Sequence, residues 1–279
     1  MKGKVCIITG ANSGIGKATA LGLAKLDAHV VLLCLDKSRG EEAQLEIRNK
    51  SGNELITLLL ADLSSQQSIR QFVKEFQKNF DQLHVLINNA GVNPNKRYET
   101  VDGLEKTFAI NTLAPFLLTN LFIPILKNSI PSRVINIASA VQSKSINFEN
   151  LQSEKHYRSW KAYSHSKTAL IILTYEFARR LSGSGITVNC LHPGAVKSNI
   201  TRDYTGVIKF FTKLFFSFAK SPEEGAETPI YLASSPNVEN LSGKFFIDKK
   251  ESKSKDITYD KNVAKRLWDV CSELTNLNT

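Results

Sequence analysis

Thr9-Gly10-Ala11-Asn12-Ser13-Gly14-Ile15-Gly16 follows the apolar run Val5 to Thr9 and leads into a helical pattern from Ile15 to Leu26. Glycines in such a turn let the chain bend tightly and let a bound group approach the backbone with no Cβ in its way. A helix starting there offers unpaired N–H groups and partial positive charge, which suit the pyrophosphate of a dinucleotide. Many strand-to-helix turns need glycine for geometry alone. What gives this one meaning is its context, a strand before and a helix after within a longer alternation.

Outward from that turn the alternation continues. His29 to Leu35 reads as a buried strand, Glu41 to Lys50 as a charged helix and Leu55 to Leu60 as a third strand. Ser64, with Gln67 three residues on, reads as a capping box opening a helix through Phe80. Leu83 to Asn88 is a fourth strand and Gly103 to Leu126 a long helix. Val134 to Ala138 and Ile186 to Leu191 are strands on either side of a helix from Ala162 to Leu181, and Phe245 to Asp248 closes the series. Apolar strands alternating with helices predict a parallel sheet covered on both faces. Right-handed crossovers make this an α/β, doubly wound, Rossmann-type sheet. No repeat or linker divides the chain, so a single domain over 1–279 is expected, with a helical substrate lid over about 196–225.

Composition narrows the function. Of 279 residues 42% are hydrophobic and 22% charged, the balance of a globular protein. Lys and Arg outnumber Asp and Glu by 36 to 26, a net charge of +10 that could draw a phosphorylated cofactor, a membrane surface or nucleic acid. The bases read as scattered, the run from Lys249 to Lys255 as a solvated loop, and no stripe of basic and aromatic residues suggests nucleic-acid binding. Cys6, Cys34, Cys190 and Cys271 form no CxxC pair, so neither a metal site nor a disulfide framework is expected. With no signal peptide at Met1-Lys2-Gly3-Lys4 and no run of about 18 apolar residues, the expected address is cytoplasmic.

The spacing Gly10-x3-Gly14-x-Gly16 resembles that of the short-chain dehydrogenase/reductase family, and further marks follow in order. Asp62-Leu63 stands after the third strand, Asn88-Asn89-Ala90-Gly91 ends the fourth and Asn111 lies in the long helix. Ser139 ends the fifth strand, Tyr163-Ser164-His165-Ser166-Lys167 is a YxxxK motif and Pro193-Gly194 follows the sixth strand. The chemistry of this set can be argued directly. A carbonyl taking hydride at carbon needs a proton at oxygen. Free tyrosine has a pKa near about 10, and a nearby ammonium favours its phenolate. Tyr163 and Lys167, four apart, share a helix face, so the pair reads as acid and tuner. Ser139 would hydrogen-bond the substrate oxygen. The resemblance implies that Asn111 holds a water linking Lys167 to solvent. It also implies cofactor contacts from Gly10, Ser13, Gly14, Ile15, Gly16, Leu35, Lys37, Asp62, Leu63, Asn89, Ala90, Gly91, Tyr163, Lys167, Pro193, Gly194 and Val196.

Cofactor choice is read at the end of the second strand, where a carboxylate holds the ribose of NAD and an Arg accommodates the phosphate of NADP. Here the run is Cys34-Leu35-Asp36-Lys37-Ser38-Arg39. The chain resembles the retinol dehydrogenase-like branch, in which an Arg follows this Cys. Leu35 replaces it, Lys37 and Arg39 could reach a phosphate, and Asp36 could accept from a ribose. NADP(H) is expected over NAD(H). The branch resemblance extends to Asn150 to Glu154, His192-Pro193-Gly194, Glu224-Gly225-Ala226, Leu241 to Phe246 and Leu267 to Val270. It implies an apolar aldehyde, ketone or alcohol as substrate. Many members begin with a membrane-anchor helix, whereas Met1 to Lys4 leads straight into the first strand. Members also often pair as homodimers.

From Val207 to Lys220, apolar residues at helical spacing oppose Lys209, Lys213 and Lys220. Such a helix could pack on its own domain, cover an apolar substrate or rest on a membrane surface. Four other functions fit these residues less well. A cofactor sensor or scaffold without turnover would be expected to lose Tyr163 or Lys167. A sugar-nucleotide epimerase would show GxxGxxG, and a scaffold built on the phenylalanine-rich helix would show no turnover. A hydrolase using His165 or His192 lacks the G-x-S-x-G elbow. His29, His84 and His156 read as surface or loop-end residues.

Overall fold

The computed structural model describes residues 1–196 and 219–277. Eight strands form one sheet: β1 (Val5–Thr9), β2 (His29–Cys34), β3 (Ile56–Leu60), β4 (Val85–Asn88), β5 (Ser132–Ile137), β6 (Ile186–His192), β7 (Phe245–Ile247) and β8 (Lys250–Ser252), in the order β3-β2-β1-β4-β5-β6-β7-β8. All neighbours are parallel except β7 and β8. The sheet is thus doubly wound, and strand order reverses between β1 and β4, the crevice where ligands bind in open sheets of this type.

Seven helices among the described residues cover the sheet: α1 (Gly14–Ala24), α2 (Lys37–Ser51), α3 (Gln66–Asn79), α4 (Lys106–Lys127), α5 (Ser159–Arg180), α6 (Pro222–Ser234) and α7 (Lys261–Leu274). Strand residues alternate between the two layers. Ile7, Val31 and Leu86 point into a core shared with α3, α4, α5 and α7. Cys6, Ile8, Val30 and Ile87 point into a second core against α1, α2 and α6. Helix α4 has the length and apolar character of a membrane span, but most of it is buried in the first core, where Phe116, Leu117 and Phe122 pack.

Several local expectations shift. Ser65, not Ser64, caps α3 by accepting from the Ser68 N–H, because Ser64 is held back by hydrogen bonds to Asp62. Helix α4 starts at Lys106, later than the pattern suggested, since the buried Glu105 carboxylate caps the Thr107 and Phe108 N–H groups. Part of the expected loop from Lys249 to Lys255 is strand β8, which pairs with β7 through a tight turn at Asp248 and Lys249, both in the left-handed region (φ 50° and 64°). His84 is not at the surface. It is buried, and its Nδ1 accepts from the Val5 N–H at 3.1 Å, so a loop-end residue by sequence ties β1 to the start of β4. The amphipathic segment 207–220 and the expected lid lie, but for Val196 and the residues from 219 on, outside the described residues.

Candidate active site

The glycine turn expected to hold a phosphate is assembled at the strand-order reversal. Gly10 and Gly14 have φ of 64° and 54°, the left-handed region that favours glycine. At Gly16 a Cβ would stand 2.5 Å from both the Gly10 carbonyl oxygen and the Asn89 side-chain nitrogen, so only hydrogen fits. Thr9 clamps the turn to the end of β4: its hydroxyl accepts from the Asn89 and Ala90 N–H groups at 2.9 and 2.8 Å. Asn89 Nδ2 returns a bond to the Thr9 carbonyl at 2.7 Å. The glycine pattern alone does not reveal this role of Thr9; the signal in the sequence is a hydroxyl just before Gly10. Ser13 precedes α1 in extended conformation without capping it, and no acid stands in the first turn. The α1 N–H groups and dipole are therefore left for an anion.

Around this turn stand the other residues expected to touch a cofactor. Leu35 is 70% exposed just past β2, and Lys37 is exposed with only a loose 3.8 Å contact to Glu41. The Asp36 carboxylate caps α2 by accepting from the Arg39 N–H at 2.9 Å. Asp62 folds over Ser64 at the end of β3, and Leu63 leans on the core. Beyond β6, Pro193 and Gly194 lead to Val196, which is buried. Val196 and Ile15 both close on Gly225 of α6, where a Cβ would stand 2.6 Å from Val196 and 3.3 Å from Ile15.

The second group converges one strand further. At Ala109–Leu113 α4 widens into a π-helical turn, an irregularity frequent at functional sites. It carries Asn111, whose side chain pairs both ways with the Val92 backbone: Oδ1 accepts from its N–H at 2.8 Å and Nδ2 donates to its carbonyl at 3.0 Å. Asn111 Nδ2 also reaches Ser166 Oγ on α5 at 3.0 Å. A Cβ placed on Gly91 would lie 3.4 Å from both Asn111 Oδ1 and Lys167 Nζ, so Gly91, Asn111 and Lys167 surround one small space. Below it, Asn88 donates to Asn136, and Asn136 to Thr174 of α5, each at 2.8 Å, holding α5 in register with β4 and β5. This ladder is not legible in the sequence, because its members meet only across two strands and a helix.

Ser139 Oγ accepts from the Val141 N–H at 3.0 Å and stands beside the Tyr163 phenol, on which its hydroxyl acts. Burial pushes the Tyr163 phenol above its ordinary value and outweighs the Ser139 hydroxyl, which acts the other way. The expectation that Lys167 would draw it down is corrected here. Lys167 Nζ lies 6.0 Å from the Tyr163 ring centre and donates instead to the Ile137 carbonyl at 2.7 Å. Lys167 is itself buried, and that dry setting lowers its ammonium to about 8. Chemically, the site holds a protonated phenol and a lysine poised between charge states, a donor and a store for one proton.

His165 is part of the scaffold: its Nε2 accepts from the Asn147 N–H at 2.8 Å. The four cysteines are all free and buried, and the described residues hold no cluster able to bind a metal.

The profile of the short chain dehydrogenase family matches residues 4–206. This chain belongs to the short-chain dehydrogenase family. Retinol dehydrogenase 11 of Mus musculus is 44% identical over 278 residues, covering 99% of this chain and 88% of that protein. Retinol dehydrogenase 14 of Homo sapiens is 43% identical, covering 99% and 88%. An uncharacterised protein from Mycobacterium paratuberculosis superposes with a TM-score of 0.79 at 30% identity, covering 99% of this chain and 94% of its own. The short-chain dehydrogenase described here is thus a nicotinamide-dinucleotide oxidoreductase acting on alcohol or carbonyl groups.

Proposed function

We propose that this short-chain dehydrogenase reduces an apolar aldehyde or ketone, retinoid-like or lipid-derived, with NADPH, working as one domain with Tyr163 as proton donor. The observation that carries the reading is the half-buried Tyr163 with the buried Ser139, beside the Lys167 and Asn111 space. When bound, the dinucleotide supplies the hydride. Gly10, Ser13, Gly14, Ile15 and Gly16 take its pyrophosphate on the α1 N-terminus. Asp62, Leu63, Asn89, Ala90, Gly91, Pro193, Gly194 and Val196 line the rest of its path. Ser139 and Tyr163 hydrogen-bond the substrate oxygen, and the Tyr163 hydroxyl gives up its proton there. A phenol kept protonated by burial favours the reductive direction at neutral pH. Lys167 and Asn111 lie where a proton can be returned to Tyr163.

Support for NADPH over NADH comes from the turn after β2. Asp36 is partly committed, one carboxylate oxygen capping α2, while Lys37 extends into solvent nearby as a cation that could meet a 2′-phosphate. Support for an apolar substrate comes from the retinol dehydrogenase relatives and from Trp160. That indole is 61% exposed and stacked on Tyr163 with ring centres 6.2 Å apart, an apolar ledge at the reacting hydroxyl. Four buried free thiols suit a reducing compartment such as the cytoplasm.

Oxidation of NADPH and NADH by purified protein, followed against carbonyls from short polar aldehydes to retinal and long-chain enals, tests this. Turnover of the apolar members with NADPH is expected. Bound cofactor with no turnover of any member would overturn it in favour of a sensor.

A further inference from the structure

Helix α5 has another face, turned away from Tyr163. Lys161 is two residues before Tyr163, hence about 200° round the helix from it. Lys161 and His165, with the chain leading from β5 to α5, wall a cleft of about 870 Å³. Lys144, Lys155 and Arg158 line it too. Among the described residues none of these four cations forms an ion pair, while Glu149, the carboxylate in the lining, faces Arg266 at 3.5 Å. Ser143, Ser145 and Asn147 add hydroxyl and amide groups.

A second, independent feature points the same way. Helix α5 has 22 residues and begins in this cleft, its N-cap Arg158 makes no side-chain cap bond and its first turn carries no acid. The positive end of a long helix thus meets four unpaired cations in a concavity of ligand-binding size. His165, kept below its usual value by burial, is neutral and pins the Asn147 backbone. Carboxylates or a flat protein surface would leave much of this donor set idle. A compact, multiply charged group with several acceptor oxygens would use it, and arginine with lysine is the pairing that recognises phosphate. We propose that this cleft binds a phosphate-bearing small anion, a phosphomonoester or pyrophosphate group, free or carried on a lipid headgroup.

The test is calorimetric titration of the full chain with inorganic pyrophosphate, a nicotinamide dinucleotide being present in excess to fill the α1 site. The variant K144Q/K155Q/R158Q/K161Q is compared with K25Q/K74Q/K78Q/K127Q, which removes the same charge elsewhere. Saturable binding that weakens by tenfold or more in the cleft variant alone is expected, since one charge-assisted bond is worth about tenfold. Flotation with vesicles of phosphatidylcholine alone, or mixed equally with phosphatidic acid, assigns the source. Cleft-dependent capture by the mixed vesicles supports a lipid headgroup, and pyrophosphate binding without capture supports a free phosphate compound. No pyrophosphate binding, or equal loss in both variants, would overturn the proposal. Circular dichroism of each variant checks folding. Because binding is read by comparison of variants, a chain that bound pyrophosphate but reduced no carbonyl would fail the function proposed above and not this one.

Discussion

Lys161 and Lys167 stand less than two turns apart on α5 and occupy different media. Lys161 is exposed beside three other cations that have no ion pair among the described residues, where water screens each charge. Lys167 is 3% exposed, donates to the Ile137 carbonyl and has its ammonium lowered to about 8 by burial. The same side chain is a solvated binding group on one face and a tunable acid on the other. Helix periodicity separates the two environments, since Trp160, Tyr163 and Lys167 fall on one stripe and Lys161 and His165 on the opposite one.

That contrast can be broken most severely at Tyr163. Tyr163→Phe should keep cofactor binding, read by nucleotide fluorescence, and lose roughly 10²-fold or more in kcat. Near-normal turnover in this variant would remove Tyr163 from the reaction. Trp160→Ala, on the same stripe, should raise KM for bulky apolar carbonyls by about tenfold, as an exposed indole contributes on the order of 1–2 kcal/mol of apolar contact. Short polar aldehydes should be indifferent to it, so a uniform loss across substrates would refute the ledge.

Lys167→Met should abolish turnover yet stabilise the fold. The lysine's folded pKa lies below its unfolded one. Below pH of about 8 both states hold the proton, and the folded state bears the cost of the buried charge, roughly 3 kcal/mol. Between about 8 and about 10.5 only the unfolded chain keeps it, so stability rises with pH through that window. Losing the bond to Ile137 offsets part of the gain, leaving about 1–2 kcal/mol at neutral pH. Denaturant unfolding at pH 7 and pH 10 should show the gain shrinking at the higher pH, and a gain equal at both would contradict a buried charge. Tyr163, shifted upward, makes the matching kinetic prediction: carbonyl reduction stays level through neutral pH and falls only on the alkaline side. A fall beginning near pH 7 would mean that Tyr163 is not the group titrating. At the small end, Lys161→Gln should change kcat by less than about twofold and stability by no more than about 0.5 kcal/mol.

Much of this was legible in the chain. Apolar runs alternating with helices led to the doubly wound sheet, because burial on both faces leaves a strand no polar side. Gly10, Gly14, Gly16, Asn111, Ser139, Tyr163 and Lys167 could be marked because tight turns and proton transfer demand particular residue types. Less visible were features that depend on what lies opposite. Ser65 replaced Ser64 as the α3 cap once Asp62 had taken the Ser64 hydroxyl. Strand β8 (Lys250-Glu251-Ser252) was missed because its residues are polar and mostly exposed, which reads as loop unless β7 is known to lie alongside.

By itself the sequence determined the order of strands and helices, the glycine turn and the residues proposed to move a proton, since these follow from periodicity and intrinsic chemistry. Tertiary structure alone decided their electrostatics. Tyr163 is raised rather than lowered, because desolvation acts on it while the nearest ammonium is held by Ile137. Bases that looked scattered over Lys144 to Lys161 meet in one cleft. Burial and the assembly of distant charges are properties of three-dimensional neighbourhoods, and no linear spacing encodes how much water a side chain will lose.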